Sequence, residues 1–217
     1  MPSTSTPVNK PRWRRRPDRR PDEILDAALR VFARCGLHKT NLEEVAKEAG
    51  ISKGTIYLYF KDKEELFVAA AHRIVPNPDE IYRKQHVAPT TNTSFHHLLR
   101  QVARTAYRRF CTPAYLAFFS MMTAEALRHP EWGEIYFRRI GLELNRRIAE
   151  IFEHAIQTGK CRKVDPLLAA RSFVGMFLMM ALTQEHLGGR KYTPLSERKV
   201  IDSLTDIFLH GIVPNGK

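Results

Sequence analysis

Lys53, Thr55, Tyr57 and Tyr59 lie close together in the run Ser-Lys-Gly-Thr-Ile-Tyr-Leu-Tyr, with Ser52 and Gly54 among them and Lys63 just beyond. An ammonium can donate to guanine O6 or N7, and a threonine methyl can meet a thymine methyl. Phenol and serine hydroxyls can hold phosphates. Gly54 lets the backbone itself come close. The set donates hydrogen bonds and fits shape, and it contains no nucleophile paired with a base. It suits contact with a nucleic acid.

Such side chains need an element that presents them together. The stretch Thr40 to Leu66, TNLEEVAKEAGISKGTIYLYFKDKEEL, reads as a short helix, a tight turn, a second short helix and the start of another. Val45, Ala46, Ala49, Ile51 and Ile56 are spaced for two helices crossing steeply over a turn of about three to four residues. Ala46 allows close approach, and Gly50 is expected to turn the chain with positive φ. Upstream, a first helix should open near Pro21 or Asp22 and stop at Gly36. It turns Ile24, Ala28, Val31 and Phe32 inward, with Leu25 and Leu29 beside them. Thr40 followed by Glu43 reads as a capping box for the second helix, and Ser52 as the N-cap of the third. The fourth begins near Asp62, with Leu66 and Phe67 inward.

The run ILDAALRVFARCGLHKTNLEEVAKEAGISKGTIYLYFKDKEELF resembles the N-terminal domain of the TetR family of one-component transcriptional regulators. The likeness rests on a first helix with Ala and Phe closed by Gly36, and on a Thr-capped second helix ending in Ala49-Gly50. Ser-Lys-Gly-Thr and a Tyr-x-x-Phe-x-x-Lys-x-x-Leu run complete it. It covers about 45 residues, a fifth of the chain. Leu37 departs from it where an aromatic residue is common, which bears on packing. The resemblance implies that the third helix enters the major groove while the fourth starts against the phosphate backbone. By it, Lys53, Gly54, Thr55 and Tyr57 face base edges or the nearest sugar-phosphates. Thr40, Ser52, Tyr57, Tyr59 and Lys63 hold phosphates. Read without it, Tyr59 could be a partly buried packing residue, and Lys53 and Lys63 could be solvated.

Composition permits this reading without proving it. The net charge of +12 and pI near 9.9 favour a polyanionic partner. Yet residues 1–66 carry 14 Lys and Arg against 10 Asp and Glu, and residues 67–217 carry 21 against 13, so bulk charge does not single out the head. Cys35, Cys111 and Cys161 are far apart, and neither they nor the histidines, His96-His97 included, show ligand spacing. No disulfide framework, metal or cofactor is expected, and a reducing cytoplasm is the natural setting. The Arg-rich N-terminus has no following apolar run and is no export signal. Phe173–Leu182, an apolar stretch of ten residues, is too short to span a bilayer, so no membrane partner is expected. Residues 1–20 read as a disordered basic arm, with seven basic residues against Asp18 across Lys10–Arg20. The arm either reaches along DNA or remains a solvated tail, and Trp13 could pack on the body.

Pro76-Asn77-Pro78 interrupts the fourth helix, and residues 76–92 have no clear pattern. From Thr93 the chain turns to long amphipathic helices. Phe95, Leu98, Leu99, Val102, Ala106 and Phe110 mark one inner face. Tyr115, Phe118, Phe119, Met122 and Ala126 mark the next, and Phe137, Ile140, Leu144, Ile148, Ile151 and Ala155 a third. A further helix starts at Pro166 and stops at Gly188-Gly189. The last is capped by Ser196. The Pro166 helix is apolar on more than one face, so it should be buried on more than one face, as between two copies. The resemblance likewise implies that the last two helices form an intersubunit bundle. A two-fold dimer in turn implies a pseudo-palindromic operator.

Aromatic and Met side chains at Phe118, Phe119, Met122, Phe137, Phe173, Met176, Phe177 and Met180 could fill an ordinary core or line an apolar pocket for a small-molecule effector. Arg100, Arg104 and Arg108 could meet an anionic ligand group or form a solvated stripe. Arg139, Glu143, Arg146, Arg147 and Glu150 read as a surface ladder.

The expected fold is all-α, about nine helices. It has a basic arm over 1–20, a helix-turn-helix head over 21–67 and a ligand-binding and dimerisation body over 68–217. The expected function is a sequence-specific, cytoplasmic, homodimeric regulator of transcription. It would be a repressor released from double-stranded operator DNA by a small, largely apolar ligand that shifts the fourth helix. An activator of the same fold, or a sequence-indifferent architectural DNA binder, are the alternatives. No phosphate-binding loop, nucleophile elbow, zinc-protease or dinucleotide fingerprint points to an enzyme.

Overall fold

The computed structural model describes residues 20–75 and 94–212, and the regular elements among them are all helical. The arm expected over residues 1–20, apart from Arg20, lies outside the described residues, as do Trp13 and the segment 76–92.

α1 (Arg20–Cys35) has Asp22 and Glu23 in its first turn, where the helix dipole favours acids, and one continuous apolar face. Ile24, Ala28, Val31 and Phe32 are fully buried, and Gly36 closes the helix at φ +78°. α2 (Leu42–Ala49) ends at Gly50 with φ +67°, the left-handed turn expected there. Ser52 caps α3 (Lys53–Tyr57) by accepting from the Thr55 N–H, and Asp62 caps α4 (Lys63–Ile74) by accepting from the Glu65 N–H. α1 packs against α2 and α4, which completes the head.

One cap is displaced by a residue. Asn41, not Thr40, starts α2: its side chain accepts from the Glu44 N–H at 2.9 Å, and the Glu44 carboxylate accepts from the Asn41 N–H at 3.4 Å. Thr40 is buried instead, and its hydroxyl donates to the Gly36 carbonyl at 2.6 Å. In Thr-Asn-Leu-Glu-Glu two capping boxes overlap. Burial of Thr40 decides between them.

The body consists of α5 (Phe95–Phe110), α6 (Pro113–Arg128), α7 (Pro130–Tyr136), α8 (Leu142–Gln157), α9 (Pro166–Ala181) and α10 (Glu197–Ile212). α9 packs against α5, α8 and α10. The centre of the body is a set of rings, Phe95, Phe152, Phe173, Phe177 and Phe208, meeting edge to face with centroids 4.9 to 6.3 Å apart. Ser196 caps α10 by accepting from the Lys199 N–H at 3.2 Å.

Two expectations for the body are corrected, at Phe137 and at Arg139. Phe137 is 43% exposed under the Arg171 guanidinium, not on an inner face. A π-helical turn over Phe137–Gly141 joins α7 to α8, and its extra residue rotates the flanking faces by about 100°, which takes Phe137 out of line with Ile140 and Leu144. The Arg100 to Arg108 stripe is solvent-exposed, one of the two expected alternatives, and two of its members make surface pairs with α10: Arg108 with Glu197 at 2.8 Å and Arg100 with Asp202 at 4.0 Å. Arg139 pairs with Glu64 of α4 at 3.3 Å, although Arg147 does make the expected i, i+4 pair with Glu143 at 3.0 Å.

A second π turn, Leu182–His186, extends α9, and the 21 residues Pro166–His186 are long and apolar enough to cross a membrane by length and composition. The uninterrupted apolar run had suggested otherwise. In the fold, Phe173, Phe177 and Ala181 of this helix are fully buried against its neighbours.

Gly36→Ala should destabilise the chain by about 1 to 2 kcal/mol, the cost of a left-handed L-residue, with more added because a Cβ there would lie 2.4 Å from Glu125 Oε1. Urea denaturation of the two proteins measures it.

Candidate nucleic-acid interface

α3 is held from one side and open on the other. Ile56 is fully buried beneath it and Phe60 closes the turn after it, while Ser52, Lys53 and Gly54 are exposed. Tyr57 and Tyr59 are 51% and 37% exposed. The Ser52 hydroxyl accepts from the Thr55 N–H at 3.2 Å and lies 2.8 Å from Thr55 Oγ1, which fixes both short side chains at the start of the helix. Tyr59 is the more covered of the two tyrosines, so it can pack on the head and still present its hydroxyl at the surface. Leu58, between the tyrosines, is 80% exposed and belongs to the same surface. In sequence an apolar residue two positions from Ile56 reads as core, so only the structure reveals it.

Lys53 is already engaged. Its ammonium lies 2.8 Å from Glu43 Oε1 on α2, and that hydrogen bond and charge lower the pKa of Glu43 and raise that of Lys53. To reach a base or phosphate, Lys53 must exchange one anion for another. The partner is an exposed surface carboxylate, so the exchange is cheap.

Two of the eight expected contact residues sit behind this surface. Thr40 is buried, as described. Lys63 directs its ammonium into the α1–α2 loop and donates to the carbonyls of Leu37, His38 and Thr40, each at 2.9 Å. Three bonds use all the donors of an ammonium. Its charge also rests 5.1 Å from the Trp132 ring centroid. Burial lowers its pKa, and the Glu125 carboxylate opposes that. Lys63 therefore clasps the loop that leads into α2 and is not an open phosphate contact.

The same loop is tied to the body. Glu125 of α6 is buried, and its Oε2 accepts from the His38 N–H at 2.9 Å. Phe67 of α4 is fully buried among Phe32 of α1, Phe118 of α6 and Trp132 of α7, at 6.1, 6.2 and 5.6 Å. Arg109 of α5 donates to the Arg73 carbonyl at 2.8 Å, and Arg73 pairs with Asp26 of α1 at 2.9 Å.

The expected pocket residues are divided by the fold. Phe118 belongs to the joint with Phe67, and Phe119 stacks on Tyr115 at 6.1 Å. Phe173 and Phe177 belong to the central ring cluster, with Met176 and Met180 half-buried around it. Met122 is buried, and Phe137 lies outside. Sequence reasoning passed over Tyr107, which meets Phe177 at 6.5 Å. Its buried hydroxyl has no hydrogen-bonding nitrogen or oxygen partner among the described residues. Burial, with the Cys111 thiol beside it, raises its pKa.

The family model for "Bacterial regulatory proteins, tetR family" matches residues 24–70, and that for "AefR-like transcriptional repressor, C-terminal domain" matches residues 97–211. The chain belongs to the TetR family. It is a DNA-binding transcriptional regulator of the helix-turn-helix type. It is 32% identical over 167 residues to the HTH-type transcriptional regulator YfiR of Bacillus subtilis, covering 72% of this chain and 75% of that one. It is 47% identical over 47 residues to the fatty acid metabolism regulator protein of B. subtilis, covering 22% of this chain and 24% of that one. The chain thus spans about a quarter of the length of that first curated relative. A TetR-family regulator from Mesorhizobium loti has the same fold, with a TM-score of 0.67 at 25% identity over 93% of this chain and 100% of that one.

Lys63→Ala should lower stability by about 1 to 2 kcal/mol, since three loop carbonyls lose a charged donor that is itself partly solvent-screened. Denaturant unfolding reports it. Glu43→Gln should tighten DNA binding severalfold in a fluorescence anisotropy titration, because it frees Lys53 and removes a carboxylate that repels phosphate.

Proposed function

We propose that this chain is a dimeric repressor that reads a pseudo-palindromic operator through α3 and is released by a small, largely apolar ligand held in the body. The observation that carries the reading is the split of α3 into a buried Ile56 face and an exposed face with Ser52, Lys53, Gly54, Tyr57 and Tyr59. Gly54 is open enough for close approach: a Cβ there would meet nothing nearer than Ser52 Oγ at 3.8 Å. Lys53, Gly54, Thr55 and Tyr57 are assigned to base edges and nearby sugars, and Ser52, Tyr57 and Tyr59 to phosphates. The head extends over 21–67 and the body over 68–217.

Dimerisation is assigned to α9 and α10. Leu168, Ser172, Gly175 and Met179 recur at i, i+4, i+7 and i+11 along α9 and are exposed, as is Ile207 of α10. That seam is apolar and small, spaced as in helix pairs that pack side by side. A second copy laid on it would set the two α3 helices about one helical turn of DNA apart, or a multiple of it.

For the ligand, the central ring cluster and the half-buried Met176 and Met180 give apolar lining, and Tyr107 gives a hydrogen-bonding group. The Tyr107 hydroxyl has only the weakly hydrogen-bonding Cys111 thiol beside it, so a ligand acceptor or donor at that point would add a stronger bond. Release then needs one condition: the ligand must bind more tightly to a head separation that misfits the operator. α4 is the mechanical link, since Lys63 and Phe67 on it grip the head and the body.

Selection of bound DNA from a random pool should return a two-fold symmetric motif, and an asymmetric or unspecific outcome sinks the reading. On that motif, Lys53→Ala should change the preferred base at one position, while Tyr57→Phe should weaken binding evenly across sequences. Met179→Asp should shift the protein to monomer in sedimentation and abolish cooperative occupancy of both half-sites.

A further inference from the structure

The joint between head and body carries a second chemical feature at its outer edge. His38, in the loop between α1 and α2, stacks on His129, at the corner between α6 and α7, with centroids 3.7 Å apart and planes 4° from parallel. Glu131 completes the group: its Oε1 lies 3.9 Å from His38 Nδ1 and 3.7 Å from His129 Nδ1. One ligand atom from each residue lies within 4.8 Å of the others. We infer that these three side chains form a site for a divalent late first-row metal ion of the Zn²⁺ class, bridging the head and the body.

The donor set selects the class. Two imidazoles and one carboxylate suit zinc and its neighbours, whereas magnesium and calcium prefer all-oxygen shells. A zinc ion with bonds of about 2.0 to 2.1 Å to tetrahedral ligands places its donors about 3.4 Å apart. The donor atoms already lie near that spacing, and binding requires the two rings to turn out of their parallel stack so that their in-plane lone pairs converge on the ion, with water in the fourth position.

The backbone under each ligand is pinned by bonds that leave its side chain free. The His38 N–H donates to Glu125 at 2.9 Å and its carbonyl accepts from Lys63. The His129 N–H donates to the Glu125 carbonyl at 2.7 Å, ending α6, and Pro130 starts α7 with Glu131 in its first turn. The side chains of His38, His129 and Glu131 are 53%, 30% and 57% exposed, so an ion can enter directly. His38 and His129 are far apart in sequence, which is why no ligand spacing exposed the site. An ion held there would tie the α1–α2 loop to the α6–α7 corner, a link separate from the apolar ligand site.

The test uses the full chain, stripped of metal, titrated with Zn²⁺ in competition with a chromophoric chelator. One Zn²⁺ per chain is expected. His38→Gln and Glu131→Gln should each weaken binding at least about tenfold, since even outer-shell changes commonly cost that much. His97→Ala on α5 should leave it unchanged. Both ligand variants are exposed and close in size to the native residues, and their far-UV spectra verify folding. In hydrogen exchange, Zn²⁺ should protect residues 36–40 and 128–132. Absence of saturable binding, equal affinity in wild type and both ligand variants, or protection confined to other segments would falsify the site. No DNA enters the measurement, so its failure leaves the operator reading intact, and failure of operator selection leaves the metal site intact.

Discussion

Phe67 is the contact on which both halves of this protein depend. It is fully buried on α4 and meets one ring from the head, Phe32, and two from the body, Phe118 and Trp132. Ring packing of this kind fixes distance firmly, because interiors are close-packed and yield little to small displacements. It does not fix direction. Direction comes from the polar contacts one turn earlier, where Lys63 holds three loop carbonyls and Glu125 holds the His38 N–H. These bonds are directional and exchangeable, so the joint can have more than one discrete setting while its aromatic centre stays packed. A joint of that kind can pass a change in the body to the head.

This arrangement explains why Lys63 is spent internally. The loop from Gly36 to Thr40 has carbonyls that no helix satisfies, and buried carbonyls without partners are costly. One ammonium serves three of them at once. The loop in turn sets the start of α2, and α2 sets the crossing angle of α3. A phosphate contact at Lys63 would have to break the bonds that aim α3. Lys53, by contrast, is held only by its exposed partner Glu43 and can exchange it for another anion at little cost.

The head was legible in sequence because its determinants are local. Gly36, Gly50, Ser52 and Asp62 act within a few residues of where they stand, and the structure uses each as its type and position suggest. Local reasoning failed where two local solutions overlapped, at Thr40 and Asn41, and where a long side chain found partners across space, at Lys63. It failed in α7–α8 for another reason: a π turn adds a residue to the helical period, and no residue type announces it. Phe137 moved outward as a result. The arginines of α5 show the same limit, since their spacing describes a face but their partners Asp202 and Glu197 lie on α10. The pairing of His38 with His129 depends on the way the head docks on the body, which periodicity does not encode.

The body was legible as a set of helices but less so as a site, because aromatic and Met residues do the same work in a core as in a pocket. α9 illustrates how structure separates the uses. Phe173, Phe177 and Ala181 face inward and have no exposed surface, so their apolarity belongs to the fold of a single chain. Leu168 and Met179 on the same helix are 64% and 60% exposed, with Ser172 and Gly175 between them, so their apolarity is not used among the described residues. Burying such a seam against a second copy gives a hydrophobic return roughly in proportion to the area removed from water, and small residues at its centre let the backbones approach. The same helix packs on α5, whose Arg109 reaches the end of α4. A surface able to take a second copy is therefore connected, through one layer of helices, to the joint that positions α3.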